Sequence, residues 1–206
     1  DSDSGRKHLA NVKRLAAERG LEMTLELILK SGPDAETPAQ MAQKLVKQKV
    51  DVILNHGSYG TYANIFKETR KLNGQTQWLA VNSGAQQMVR LLGADATGIV
   101  FTQVVPFPWG VTLPLVKEYQ AAMKVAAPTE DYSFSSMEGY LNAKLLVAAI
   151  RLAKKDRTRE GLIATLEKAG AINLGGVTVN YSPTRHQGST FVDSVIAKGD
   201  GRFVTH

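Results

Sequence analysis

Residues 50–85 read VDVILNHGSYGTYANIFKETRKLNGQTQWLAVNSGA, and this stretch decides the fold. Its apolar run at 50–54 is typical of a strand buried on both faces. The run stops at residues 56–60, HGSYG, where two glycines permit a tight turn. Residues 59–72 then follow a helical pattern, with apolar side chains mostly on one face. A second predicted strand, 78–81, completes the unit.

The second strand also ends in a small polar loop, Asn82-Ser83-Gly84. A strand–helix–strand unit of this kind predicts two parallel neighbouring strands with a right-handed crossover. Both polar loops then lie at the carboxyl edge of one sheet. Open α/β sheets bind their ligands at that edge, so the two loops are the first candidates for a functional site.

The first hundred residues alternate helix and strand with short loops. Further strands are predicted at 21–29 and 98–105, and the alternation indicates an α/β fold with a Rossmann-like, doubly wound parallel sheet. The pattern begins with a helix, opened by the N-cap residues at 1–5, although a helix in this fold should follow a strand. We therefore expect that a strand upstream of Asp1 is missing.

The pattern changes at residues 106–110, PFPWG, where two prolines favour an extended segment that we interpret as a crossover between lobes. Three helices without intervening strands are predicted after it, at 112–126, 135 or 136–153, and 158–169. The end of the chain, 175–206, is predicted to be rich in β-structure, with a hairpin turn at Gly199-Asp200-Gly201.

The composition excludes several classes of protein. The 206 residues are 43% hydrophobic and 21% charged, which favours a packed core over disorder. The chain has no cysteine, which excludes disulfides, thiolate metal sites and cysteine nucleophiles. The net charge is +6, but the basic residues are scattered along helix faces, which does not favour nucleic-acid binding. The four histidines are far apart in the sequence, and no metal, phosphate-loop or nucleophile-elbow motif is present, so no cofactor is predicted.

Each candidate site residue has two interpretations. The hydroxyl of Ser58 and the free N–H groups at the start of the next helix are suited to holding a carboxylate, with Tyr59 as an aromatic wall. The alternative is a plain strand–helix turn with Ser58 as N-cap. The loop at 82–84 has the same two interpretations. Phe107 and Trp109 either line a cleft or pack the crossover segment against a lobe.

A family resemblance rests on five segments, given in chain order. They are DSDSG at 1–5, residues 51–84, GIVFTQVVPFPWGVTLPLVKEYQAAM at 98–123, YSFSSMEGYLNAKLLVAAIRLA at 132–153, and GGVTVNYSPTRHQGSTFVDSVIAKGDGRFV at 175–204. In this order and spacing the chain resembles the C-terminal portion of a type I periplasmic solute-binding protein. The class is that of the leucine/isoleucine/valine-binding receptors of ABC importers.

The resemblance implies two Rossmann-like lobes joined by three crossovers, with a small-molecule ligand held between them. Residues 1–105 and 173–206 would form the second lobe, and 106–172 the crossover and the helices of an incomplete first lobe. It further implies a periplasmic protein whose signal peptide is removed, with ABC permease subunits as partners. The given chain would be a fragment, and its helices at 112–170 would lack the sheet on which they pack. These helices would need another partner, such as a second copy of the chain.

The family's ligand contacts map onto Ser4, Tyr59 and Asn82 in the second lobe, and onto Phe134 or Ser135 after the second crossover. Ser58 and Ser83 flank these positions. Amino-acid binders of this class usually carry a carboxylate near Asn82 to pair with the ligand's ammonium group. Asn82 is neutral, and burying an unpaired ammonium is costly. A ligand that is an aromatic or aliphatic carboxylate, or an amide, is thus favoured at least as much as an amino acid, although Glu138 offers a charge from the other lobe.

The leading hypothesis is therefore a non-enzymatic binding protein whose lobes close on a hinge around a small carboxylate-bearing ligand. Two alternatives stay open. One is an α/β enzyme whose catalytic group draws on His56, Tyr59 and Ser83. The other is a ligand-sensing receptor or regulator module with the same fold.

Overall fold

The computed structural model describes residues 2–30, 32–82 and 84–205. The helices are α1 Asp3–Glu18, α2 Pro38–Lys47, α3 Tyr59–Lys71, α4 Ala85–Leu92, α5 Pro114–Ala126, α6 Phe134–Ala153 and α7 Arg159–Lys168, with a short 3-10 helix at Gly93–Ala96. The strands are β1 Val52–Asn55, β2 Gln77–Ala80, β3 Val100–Gln103, β4 Ala171–Asn173, β5 Thr178–Asn180, β6 Asp193–Ala197 and β7 Phe203–Val204.

The chain divides into two compact units. The first unit contains Asp1–Thr102 and Ser194–His206, and the second contains Gln103–Asp193. The predicted lobes differ from these units, because residues 103–105 and 173–193 belong to the second unit. Whether the units are the two lobes of a binding protein stays a prediction.

The main sheet has five strands in the order β1-β2-β3-β6-β7. β1 pairs with β2 and β2 pairs with β3, both in parallel, while β6 and β7 form an antiparallel hairpin. The α/β fold with a parallel, Rossmann-like sheet is therefore confirmed, as is the strand–helix–strand unit formed by β1, α3 and β2. The register pairs Asn55 with Ala80, so both strands end at the same level.

Strand β1 is not buried on both faces, so that part of the prediction was wrong. Val52 and Leu54 are 52% and 51% exposed. The reason is the position of β1 at one end of the sheet order, with β2 as its neighbour on one side. An apolar run predicts a strand, but its burial depends on how many neighbours cover it.

The strand predicted at 21–29 is absent from the structure. Residues 21–30 have no regular secondary structure, although side chains at 25–30 alternate between half-buried and exposed. Alternation is the sequence signal of a strand, but a strand also needs a hydrogen-bonded neighbour. In the part of the chain that the structure describes, this segment has no ladder partner.

Aromatic packing fixes α3 on the sheet. The Trp78 ring of β2 meets the ring of Tyr62 edge-on at 6.0 Å and that of Phe66 at 5.2 Å. The neighbouring helix α2 begins with a capping box between Thr37 and Gln40, and Pro38 occupies its first turn as predicted. These contacts place the first turn of α3 at the carboxyl end of β1.

The second unit consists of α5, α6 and α7 with the antiparallel pair β4–β5. The three helices match the predicted ones closely, and Thr158 caps α7 by accepting a hydrogen bond from the Gly161 N–H at 3.1 Å. Helix α6 leaves Leu146 and Val147 about half exposed, at 54% and 46%. The covering of this face by a second copy of the chain stays a prediction.

Candidate functional site at the carboxyl edge of the sheet

The loops that follow β1 and β2 meet at one edge of the first unit. Gly84 has a φ of +74°, and a Cβ added there would lie 2.4 Å from Cδ1 of Tyr59. The Tyr59 ring therefore rests directly on the backbone of the second loop. Glycine is needed at position 84 for two reasons, the left-handed backbone and the close approach of the ring. The ring is still 42% exposed, so one part of it faces solvent.

Helices α3 and α4 both begin at this edge. Neither N-cap residue, Ser58 or Gly84, makes a side-chain cap hydrogen bond, and neither first turn contains an acidic residue. The Ser58 hydroxyl lies 3.0 Å from the Thr61 hydroxyl instead. Ser58 thus occupies the N-cap position without performing its usual capping bond. The partial positive charge of two helix N-termini remains available at the edge.

Asn55 is the last residue of β1 and immediately precedes the first of these loops. It was not identified as a candidate from the sequence. Its side chain is only 3% exposed, and its Oδ1 atom has no hydrogen-bond partner among the residues that the structure describes. A buried acceptor without a partner is unfavourable by about 1–3 kcal/mol. The signal was present in the sequence, because Asn55 is the polar residue that terminates the apolar run.

Two histidines from different elements stack at this edge. The rings of His8, on α1, and His56, after β1, have their centroids 4.0 Å apart with an angle of 29° between the planes. Both side chains are exposed. Partial burial and then the charge of His8 lower the pKa of His56 below its ordinary value. The sequence did not indicate this pair, since the two residues are distant along the chain.

The remaining predicted residues of this edge are distributed as follows. Ser4 lies in the first turn of α1 and is exposed, one turn before His8. Asn82 follows β2 and is half-buried, and its carbonyl accepts a hydrogen bond from the Ala85 N–H at 3.4 Å. Ser83 lies outside the described residues. The structure thus brings Tyr59 against the loop that contains Asn82 and joins the helix of Ser4 to the loop of Ser58 through the histidine pair.

The other two predicted contacts lie in the second unit, at the start of α6. Ser135 is exposed, whereas Phe134 is 6% exposed and packs among aromatic rings. Its ring lies 6.3 Å from that of Phe107 and 5.6 Å from that of Trp109. The side-chain amide of Gln120 holds residues 108–110 in place by donating to the carbonyls of Pro108 and Gly110, both at 2.9 Å. The three rings form one cluster, in which Phe107 and Trp109 stay half-buried.

The described ranges contain neither a metal-binding cluster nor a membrane-spanning helix. No group of three or more histidine, aspartate, glutamate or cysteine side chains there is arranged to hold a metal ion. No helix in the same ranges is long and apolar enough to cross a bilayer.

A family model described as periplasmic binding protein matches residues 1–201. The chain belongs to this periplasmic binding protein family. Comparison with curated proteins finds no match.

Solved structures of similar fold carry related descriptions. A possible leucine/isoleucine/valine-binding protein from Rhodopirellula baltica is 33% identical over 81% of this chain and 46% of its own, with a TM-score of 0.74. An extracellular ligand-binding receptor from Verminephrobacter eiseniae is 28% identical over 99% of this chain and 58% of its own, with a TM-score of 0.83. A fatty acid ABC transporter substrate-binding protein from Thermomonospora curvata has 24% identity, covers 100% of this chain and 54% of its own, and has a TM-score of 0.79.

This member of the periplasmic binding protein family thus spans about half the length of the solved proteins it resembles. The resemblance that the sequence suggested is confirmed at the level of family and fold. Those similar structures are described as binding proteins and receptors.

Proposed function

We propose that this chain belongs to the extracytoplasmic solute-binding component of an ABC importer, and that it binds a small carboxylate-bearing ligand at the carboxyl edge of the main sheet. The observation that carries the proposal is the contact of Tyr59 with Gly84, which puts the β1–α3 and β2–α4 loops side by side. In open α/β sheets this edge is where ligands bind. Family membership over residues 1–201 supports the same function.

The chemistry of the edge suits a carboxylate. The N-cap residue of α3 makes no side-chain cap hydrogen bond, so the first N–H groups of this helix are suited to donate to a carboxylate, and the dipoles of α3 and α4 favour a negative charge. Ser58 and Asn82 add a hydroxyl and an amide donor, and the exposed part of the Tyr59 ring offers an apolar wall. Ser83 and Ser4 complete the proposed contacts in the first unit, and Ser135 and Phe134 are the proposed contacts in the second.

The edge lacks a partner for an ammonium group. The loops at 56–60 and 81–85 contain no acidic residue, and Asn82 is neutral. An ammonium group buried against them would lose its hydration without gaining a counter-charge. We therefore expect aliphatic or aromatic carboxylates and amides to bind more tightly than α-amino acids. Glu138 on α6 is the residue that would reverse this order, by pairing with the ammonium group.

The proposed mechanism is hinge closure of two lobes around the ligand, with the closed form selected by contacts to both sides. The closed form would then deliver the ligand to permease subunits, as the description of a similar ABC transporter protein suggests. The proposed location is the periplasm or its equivalent outside the membrane.

The proposal is tested by isothermal titration of the gene's full-length product. The panel contains L-leucine, L-phenylalanine, benzoate, valerate and the neutral amide valeramide. We expect micromolar binding of at least one carboxylate, and a loss of about tenfold or more in Tyr59→Ala, because the aromatic wall is removed. Folded protein that binds no member of the panel would contradict the proposal.

A charge substitution tests the ligand ranking. Asn82→Asp should weaken carboxylates by repulsion and shift the preference towards L-leucine, since it supplies a partner for ammonium. Asn11→Asp, on the exposed part of α1, changes the net charge equally and serves as the control. Tight binding of L-leucine by the unmodified protein, without change in Asn82→Asp, would refute the ranking.

A further inference from the structure

The stacked rings of His8 and His56 lie at the same edge as the proposed ligand contacts. His56 precedes Ser58 and Tyr59 by two and three positions, and Ser4 lies one helical turn before His8 on the same face of α1. The stack at 4.0 Å is thus the point where α1 touches the β1–α3 loop. It joins the two parts of the first unit that the proposed function assigns to ligand binding.

We propose that His8 and His56 form a proton-coupled contact for the carboxylate of the ligand. This inference rests on the proposed function and names the groups that regulate it. Neutral imidazoles stack without penalty, whereas two imidazolium rings at this distance repel each other. A carboxylate bound against the ring edges accepts hydrogen bonds from both rings and supplies the missing negative charge. Each ring that becomes charged takes its proton from water.

The charged residues on the neighbouring elements are as follows. On α1 the nearby ones are Asp3, Arg6 and Lys7, and Asp3 is 3.8 Å from Arg6. On the segment between α1 and α2 they are Arg19, Glu22, Glu26, Lys30, Asp34 and Glu36, of which Glu26 pairs with Lys13 and Glu36 with Lys44. The charge that acts on the pKa of His56 is that of His8.

The remaining titratable group beside the pair is the phenol of Tyr62 on α3. Its side chain reaches the backbone of the same loop, and burial raises its pKa well above the ordinary value. It therefore stays neutral at any pH at which histidine titrates and contributes no compensating charge. The N-termini of α3 and α4 add positive potential at the same edge. An anion is the ligand that this set of groups lacks.

A metal ion is not favoured at this pair. A stable site for zinc or copper needs three or more ligating side chains, and no such group occurs in the described ranges. The face-to-face arrangement of the two rings also differs from the convergent geometry of metal ligands. A carboxylate therefore suits the pair better than a metal ion does.

The inference predicts that ligand binding takes up protons. Valerate should raise the pKa of His56, measured from its ring proton signals in NMR, while valeramide should leave it unchanged. Valerate affinity should increase about three- to tenfold between pH 8 and pH 6. Titration in buffers with different ionisation enthalpies should show the uptake directly.

Three histidine variants provide the comparison. His8→Gln and His56→Gln should each abolish most of the pH dependence of valerate binding. His186→Gln is the matched control, because His186 lies in the second unit, 2.8 Å from Glu167, and outside the proposed contacts. It should keep the full pH dependence.

The outcomes separate the inference from the proposed function. Binding of a panel carboxylate with unmoved histidine pKa values and no proton uptake overturns the inference alone. Raised histidine pKa values with valerate, but no tight ligand anywhere in the panel, support the inference and contradict the proposed function. Equal responses to valerate and valeramide overturn the inference, because they show that the charge plays no part.

Discussion

Replacing Gly84 by alanine measures the contact between the two loops of the proposed site. The position has a φ of +74°, which costs an alanine about 1–2 kcal/mol. The new Cβ would also lie 2.4 Å from Cδ1 of Tyr59, far inside van der Waals contact. Displacing a packed ring of this size costs about a further 1–3 kcal/mol. We expect the free energy of unfolding to fall by about 2–5 kcal/mol in Gly84→Ala, measured by urea denaturation.

A matched glycine separates the two contributions. Gly20 follows α1 with a φ of +64° and has no other group within 4 Å of the position of a Cβ. Gly20→Ala therefore reports the backbone strain alone, about 1–2 kcal/mol. In a Tyr59→Ala background the additional loss in Gly84→Ala should shrink, since the ring is gone and only the Cβ of residue 59, at 2.9 Å, still opposes the new methyl group. The reasoning is refuted if Gly84→Ala loses no more than Gly20→Ala, or if its excess is the same with and without the Tyr59 ring.

Three further predictions concern stability. The pKa of His56 is lowered in the folded chain, so the unfolded chain binds a proton at a higher pH than the folded chain does. The urea midpoint should therefore fall as pH drops below the ordinary histidine value of 6.5, and it should fall less in His8→Gln. A flat profile contradicts this. Tyr119→Phe removes the hydrogen bonds of the phenol with the Ser136 hydroxyl at 2.7 Å and with the Ser133 N–H at 3.1 Å, and should lower the free energy of unfolding by about 1–2 kcal/mol; no loss in the same urea assay would show that these bonds are dispensable. Thr158→Ala removes the N-cap of α7 and should cost about 1 kcal/mol, whereas Thr158→Ser should restore most of it.

The sequence was sufficient for features that depend on local patterns and on the geometry of parallel sheets. An apolar run, a glycine loop and an amphipathic helix predicted β1, α3 and β2, and parallel pairing then required their loops to share an edge. The end of the chain was also predictable, since a Gly-Asp-Gly turn between two apolar runs indicates the β6–β7 hairpin.

Features that depend on distant partners were not predictable. Residues 21–29 carry the alternation of a strand, but a ladder needs a neighbour, and the sequence does not show whether one is present. The exposure of Val52 and Leu54 has the same origin, because it depends on the place of β1 in the sheet. The stack of His8 on His56 joins two elements whose packing no local signal encodes.

The central claim is that the loops after β1 and β2 together hold the carboxylate of a small ligand. The most direct measurement is to follow the backbone amide signals of the gene's full-length product by NMR while the tightest carboxylate of the panel is added. The account predicts that the largest shifts occur at residues 58–60 and 82–86, with smaller ones around Ser4 and His8. Shifts confined to other parts of the chain, such as α7 and the β4–β5 pair, would contradict it.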